Sequence, residues 1–136
     1  MLSVLYGEKG AGKTKAIIVA ANERLNHAKG TVVYIDDDKS HTREINFQIR
    51  FVDASEYSID SPKMFYGFLA GIAAQDFDLE AIFVDGFTKI VKYSLAELTE
   101  LFEKLELFSQ KFNVDIVICL NATEEEIPDF IQKYTV

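Results

Sequence analysis

The run Gly7-Glu8-Lys9-Gly10-Ala11-Gly12-Lys13-Thr14 carries the most specific chemistry in this chain of 136 residues. It fits G-x-x-x-x-G-K-[ST], the pattern of a phosphate-binding loop (Walker A). Glycines let the backbone curl until successive N–H groups face one concavity. A helix that follows turns its free N–H groups and positive dipole end to the same point. In that setting Lys13 reaches the β- and γ-phosphates, where it also serves catalysis, and the Thr14 hydroxyl ligates Mg²⁺. Gly7 to Thr14 are therefore expected to bind Mg²⁺ with ATP or ADP.

A metal-bound triphosphate calls for a carboxylate as well. Ile82-Phe83-Val84-Asp85 is an apolar run ending in an acid, the Walker B pattern, and makes Asp85 the expected partner of Thr14 at the metal. A buried strand ending in an Asp-Gly turn has the same appearance. Asn121 follows the apolar run Val114 to Leu120. It is placed either to contact the γ-phosphate or orient the attacking water, or to cap the helix expected at Thr123. Asp36, Asp37 and Asp38 follow another apolar run. One of them, Asp36 first, can act as a general base or support the metal; the alternative is a solvated acidic turn. Asp53 and Glu56 are the other acidic candidates. No arginine stands out as a finger supplied in cis, and slow turnover is expected.

These residues need elements to position them. Leu2 to Tyr6 is predicted as the strand before the loop and Lys13 to Ala28 as the helix after it. That helix has Ile17, Ile18, Ala21 and Leu25 on one face and Gly30 as its C-cap. Further strands are expected at Thr31 to Ile35, Ile49 to Val52, Ala81 to Asp85 and Val114 to Leu120, with residues 39 to 48 a loop holding a helical turn. Ser61-Pro62 starts a helix reaching about Gln75, whose stripe Phe65, Phe68, Leu69 and Ile72 is core rather than a cofactor box. Ser94-Leu95-Ala96-Glu97 is a capping box for a helix to about Phe112, and Thr123 to Glu126 caps a short last helix that Pro128 bends or shortens. Apolar runs alternating with helical periods predict one α/β domain over residues 1–136. Its fold is a three-layer one, a mainly parallel sheet of four or five strands with helices on both faces.

Composition narrows the partners. The formal charge of −8 opposes nonspecific nucleic-acid binding, and lysines and arginines are scattered singly. No apolar run approaches the ~18 residues of a membrane span, and nothing resembles a signal peptide. The lone cysteine, Cys119, excludes an internal disulfide and is expected as a buried hydrophobe. A cytoplasmic location follows as an expectation. His27 and His41 lack metal-ligand spacing and are expected at the surface.

The Gly7–Thr14 run, Asp85 and Asn121 resemble the P-loop NTPase superfamily, and the element order is similar to that of its RecA-like branch. The resemblance implies that the strand ending at Leu120 lies between those ending at Tyr6 and Val84. It also implies a glutamate after the Walker B acid or on a neighbouring strand, whereas Asp85 is followed by Gly86 and Phe87. The chain also resembles small stand-alone bacterial P-loop proteins sometimes labelled twitching-motility (PilT-type) ATPases. The resemblance implies an ATP-binding protein: a slow ATPase or nucleotide-dependent switch whose loops signal to a protein partner. The alternatives are a small-molecule kinase, against which no Arg-rich lid follows Asp85, and a non-catalytic nucleotide-binding module within a homo-oligomer. The N-K-x-D guanine motif is absent, which favours ATP.

Overall fold

The computed structural model describes residues 1–136. Its strands are β1 (Leu2–Gly7), β2 (Thr31–Asp36), β3 (Arg50–Asp53), β4 (Leu79–Val84) and β5 (Asp115–Asn121). They form one five-stranded sheet in the order β1-β5-β4-β2-β3, parallel throughout. The crossovers contain α1 (Lys13–His27), α2 (Pro62–Ala74), α3 (Phe87–Val91) and α4 (Thr99–Phe112), and α5 (Asp129–Gln132) lies near the end of the chain. β5 separates β1 from β4, as the resemblance implies. The result is a three-layer α/β fold, with helices flanking the sheet. No helix is long and apolar enough to cross a membrane.

Strand β2 shows why the strands read as unbroken apolar runs. Val32 and Tyr34 pack with Ile17, Ile18 and Ala21 of α1 on one face. Val33 and Ile35 face the other way, into the larger core formed with α2 and α4. Alternating side chains are thus buried on both faces. Of the predicted stripe, Phe65 and Leu69 are buried in the core, and Phe68 and Ile72 pack partly buried against it, as expected. Phe87 meets Phe65 edge-on at 5.3 Å between ring centres and Phe102 at 5.9 Å, a favoured aromatic geometry.

Several local expectations need correction. Helix α1 ends at His27, with Ala28 extended as its C-cap (φ −79°, ψ 142°). Gly30 is no left-handed cap: a β-carbon there would overlap the Asp78 carbonyl, which accepts the Thr31 N–H at 2.7 Å. Its role is close backbone approach. The Ser94–Glu97 box closes a 3₁₀ turn (Leu95–Glu97) rather than opening the long helix. The chain bends at the fully buried Leu98 before α4 begins at Thr99. The Thr123–Glu126 box likewise closes a 3₁₀ turn, and Pro128 caps α5. Such a box satisfies the first free N–H groups whether or not a longer helix continues. β3 lies one residue later than predicted, and the short helix α3 is additional to the predicted elements.

Charged pairs tie α1 to the amino ends of the central strands. Arg24 reaches Glu80 at 3.0 Å and Asp115 at 2.8 Å, and the terminal amine of Met1 reaches Asp115 at 2.8 Å. Glu80 also accepts the Lys29 and Gly30 N–H groups.

Candidate functional site

The carboxyl ends of β2, β4 and β5 and the loop after β1 enclose a cleft of about 430 Å³. In an open parallel sheet, ligands bind at this edge. From the Gly7–Thr14 run, Lys9, Gly10, Gly12, Lys13 and Thr14 line it. Gly10 (φ 90°) and Gly12 (φ 85°) are left-handed, a conformation in which a side chain is strained. Between them the chain turns tightly enough for the Ala11 N–H to donate to the Glu8 carbonyl at 3.0 Å. Gly12 is the N-cap of α1, so the helix starts at the loop's rim. Lys13 folds back and donates from Nζ to the Glu8 carbonyl at 3.1 Å. Its stem packs against Gly7, where a β-carbon would stand 3.3 Å from Lys13 Cγ and Cδ.

Opposite the loop the lining is acidic. Asp85, just after β4, is 9% exposed and lines the cleft. Its Oδ1 accepts the Gly86 N–H at 2.9 Å, and its Oδ2 lies 3.5 Å from the Tyr34 hydroxyl, which donates to it. Tyr34 is fully buried. Burial first, then the Asp85 and Asp36 carboxylates, push its phenol well above the ordinary range. The same causes, burial first and then Asp85, push the Cys119 thiol up to about 12. Cys119 is buried, as expected, and is a packed hydrophobe rather than a nucleophile.

The acidic turn is not uniformly solvated. Asp36 is 2% exposed, whereas Asp37 is half-buried and Asp38 exposed. The cause is topological: β2 runs between β4 and β3, so its last residue remains inside the sheet. Asp36 Oδ1 accepts the Asp37 N–H at 2.8 Å, and Asp36 Oδ2 is buried with no hydrogen-bond partner. Burial, then a hydrogen bond with the Asp37 carboxyl and repulsion from Asp85, push the Asp36 carboxyl up to about 8. Asp38 instead accepts the Ser40 N–H and hydroxyl at 2.9 and 2.6 Å.

Asn121 ends β5 in register with Gly7 and lines the same cleft. It does not cap the following turn, where Thr123 holds that position. Asp53 and Glu56 fall outside the cleft lining. Asp53 accepts from Ser55, and Glu56 pairs with Lys39 at 2.7 Å. His27 is exposed, as expected. His41 is half-buried at the cleft, and its hydrogen bond with Glu44 (2.7 Å) raises its pKa. Lys15, Ser40 and Lys89 also line the cleft without having been singled out from the sequence. Lys89 is carried by α3, whose N-cap Gly86 directly follows Asp85.

No protein-family model matches the chain, and no curated protein matches its sequence. Among solved structures, the fold is similar to the crystal structure of flagellar accessory protein FlaH from Methanocaldococcus jannaschii, with a TM-score of 0.61 and 14% sequence identity. The match covers 97% of this chain and 65% of that one, so this chain spans less than two thirds of its neighbour's length. At that identity the likeness is one of fold, a parallel α/β sheet flanked by helices.

Proposed function

We propose that this chain binds Mg²⁺-ATP or Mg²⁺-ADP at Gly7–Thr14 and works as a slow ATPase or nucleotide-dependent switch acting with a protein partner, in the cytoplasm. The observation that carries the reading is the cleft itself. A glycine turn ending in a helix N-terminus faces Asp85 across the carboxyl edge of a parallel sheet. Loop amides and Lys13 would hold the phosphates. Thr14 and Asp85 offer the oxygen donors that Mg²⁺ takes, and the metal would neutralise phosphate charge. Lys13 would move from the Glu8 carbonyl to the phosphates. Asn121 would meet the γ-phosphate or its attacking water, and Asp36 would take that water's proton; both line the cleft.

Slow hydrolysis is expected because Asp85 is followed by Gly86 and Phe87 rather than by a glutamate, and no arginine stands out as a finger in cis. Fast turnover would need a partner that supplies an arginine. The reading rests on the cleft and not on the PilT-type label. Thermal shift against a nucleotide panel, followed by phosphate release with and without hydroxyl acceptors, tests it. Stabilisation by ATP and ADP with slow, acceptor-independent release supports a switch. Acceptor-dependent loss of the γ-phosphate would make the chain a small-molecule kinase, and no release would make it a binding module.

A further inference from the structure

We propose that Asp36, Asp37 and Asp38 bind a hard divalent cation in the absence of nucleotide, at a position separate from the one Thr14 and Asp85 would share with ATP. One carboxylate oxygen from each of the three lies within 4.8 Å of the other two. Acidic turns often look like this and hold nothing. Asp36 sets this one apart, because its side chain is almost wholly buried, lines the cleft, and leaves Oδ2 without a hydrogen-bond donor. A buried acceptor left unpaired is costly. A cation seated among the three carboxylates supplies the missing partner.

The protein compensates this charge weakly. The one cationic side chain paired with the three is that of Lys89, 3.8 Å from Asp37 Oδ2 and largely exposed. Asp37 is also braced, its carboxylate resting against Gly86, where no side chain intervenes. Carboxylate oxygens with room for water on the cleft side are the donor set of Mg²⁺, Mn²⁺ or Ca²⁺, not of thiolate-seeking metals. The inference concerns the cleft proposed above for nucleotide but does not need nucleotide to bind there.

Titration of the nucleotide-free protein with Mn²⁺, read by the loss of the free-ion electron paramagnetic resonance signal, tests it. The expected result is one bound Mn²⁺ per chain. Asp37→Asn and Asp38→Asn should each weaken it by about tenfold or more, since ligand charge sets affinity. Both residues are at least partly exposed, so these variants are expected to fold, and circular dichroism checks that they do. Thr14→Ala should leave the nucleotide-free binding unchanged. Absence of Mn²⁺ binding at millimolar metal, retention of full affinity in the Asp37→Asn/Asp38→Asn double variant, or loss in Thr14→Ala would each overturn the inference. None of these outcomes depends on whether ATP binds.

Discussion

Asp37 rests its carboxylate against the backbone of Gly86, across the gap between the carboxyl ends of β2 and β4. A β-carbon on Gly86 would overlap Asp37 Oδ1, and Gly86 stands at φ 66° as the N-cap of α3. The contact joins the acidic turn to the helix that carries Lys89.

Replacing Gly86→Ala should therefore cost stability twice, through the left-handed backbone and through displacement of Asp37. The first alone is worth about 1–2 kcal/mol. Urea unfolding should show a lowered midpoint, and adding Asp37→Ser should recover part of the loss. An unchanged midpoint in Gly86→Ala would contradict the packing described.

Asp85→Asn should act on metal more than on nucleotide. The substitution removes a charge from the proposed Mg²⁺ position while leaving the loop amides and Lys13 in place. Calorimetry with ATP should then show little gain in affinity on adding Mg²⁺, with metal-free binding close to wild type. A full Mg²⁺ enhancement in the variant would remove Asp85 from the metal.

Asp36 makes stability depend on pH in a definite sense. Its folded-state carboxyl, at about 8, lies above the ordinary 3.8, so the folded protein holds this proton more tightly than the unfolded chain. The contribution is full below about pH 3.8 and is lost as the pH rises through about 8. In the presence of a chelator, the wild-type urea midpoint should fall between pH 5 and 8 more steeply than that of Asp36→Asn. Parallel profiles would show that Asp36 does not titrate in this way.

Arg24→Ala should act in the opposite direction, on acid stability. Burial alone would raise the Glu80 and Asp115 pKa values, but hydrogen bonds from Arg24 and, at Asp115, from the terminal amine hold both below their ordinary 4.5 and 3.8. This stabilisation is present above those values and is lost as the pH falls through the folded-state ones. The pairs are partly solvated, so the loss in the variant should be about 1 kcal/mol at neutral pH. It should shrink toward pH 3. A loss that persists undiminished in acid would point to the packing of the Arg24 stem.

The strands that carry the cleft were legible because each is buried on both faces and therefore apolar throughout. Gly7 to Thr14 and Asp85 stood out by spacing. The placement of β5 beside β1 came from the RecA-like resemblance, and the sheet has that order. Less visible were features set by tertiary contact. Three consecutive aspartates look alike in sequence, and only the position of β2 inside the sheet buries Asp36 and spares Asp38. Gly30 looked like a helix cap because its closeness to Asp78 comes from a segment far along the chain. Helix α3 is too short to show a period, Lys89 belongs to no motif, and His41, expected at the surface, lines the cleft.

The most direct measurement is calorimetric titration of Mg²⁺-ATP into the wild-type chain and into Lys13→Ala. Lys13 contributes a charge-assisted phosphate contact, and losing one such bond costs about 1.5–3 kcal/mol. The wild type should bind one nucleotide per chain, and Lys13→Ala should bind at least about tenfold more weakly. Absence of ATP and ADP binding by the wild type at millimolar nucleotide, or equal affinity in the two proteins, would contradict a nucleotide site at Gly7–Thr14.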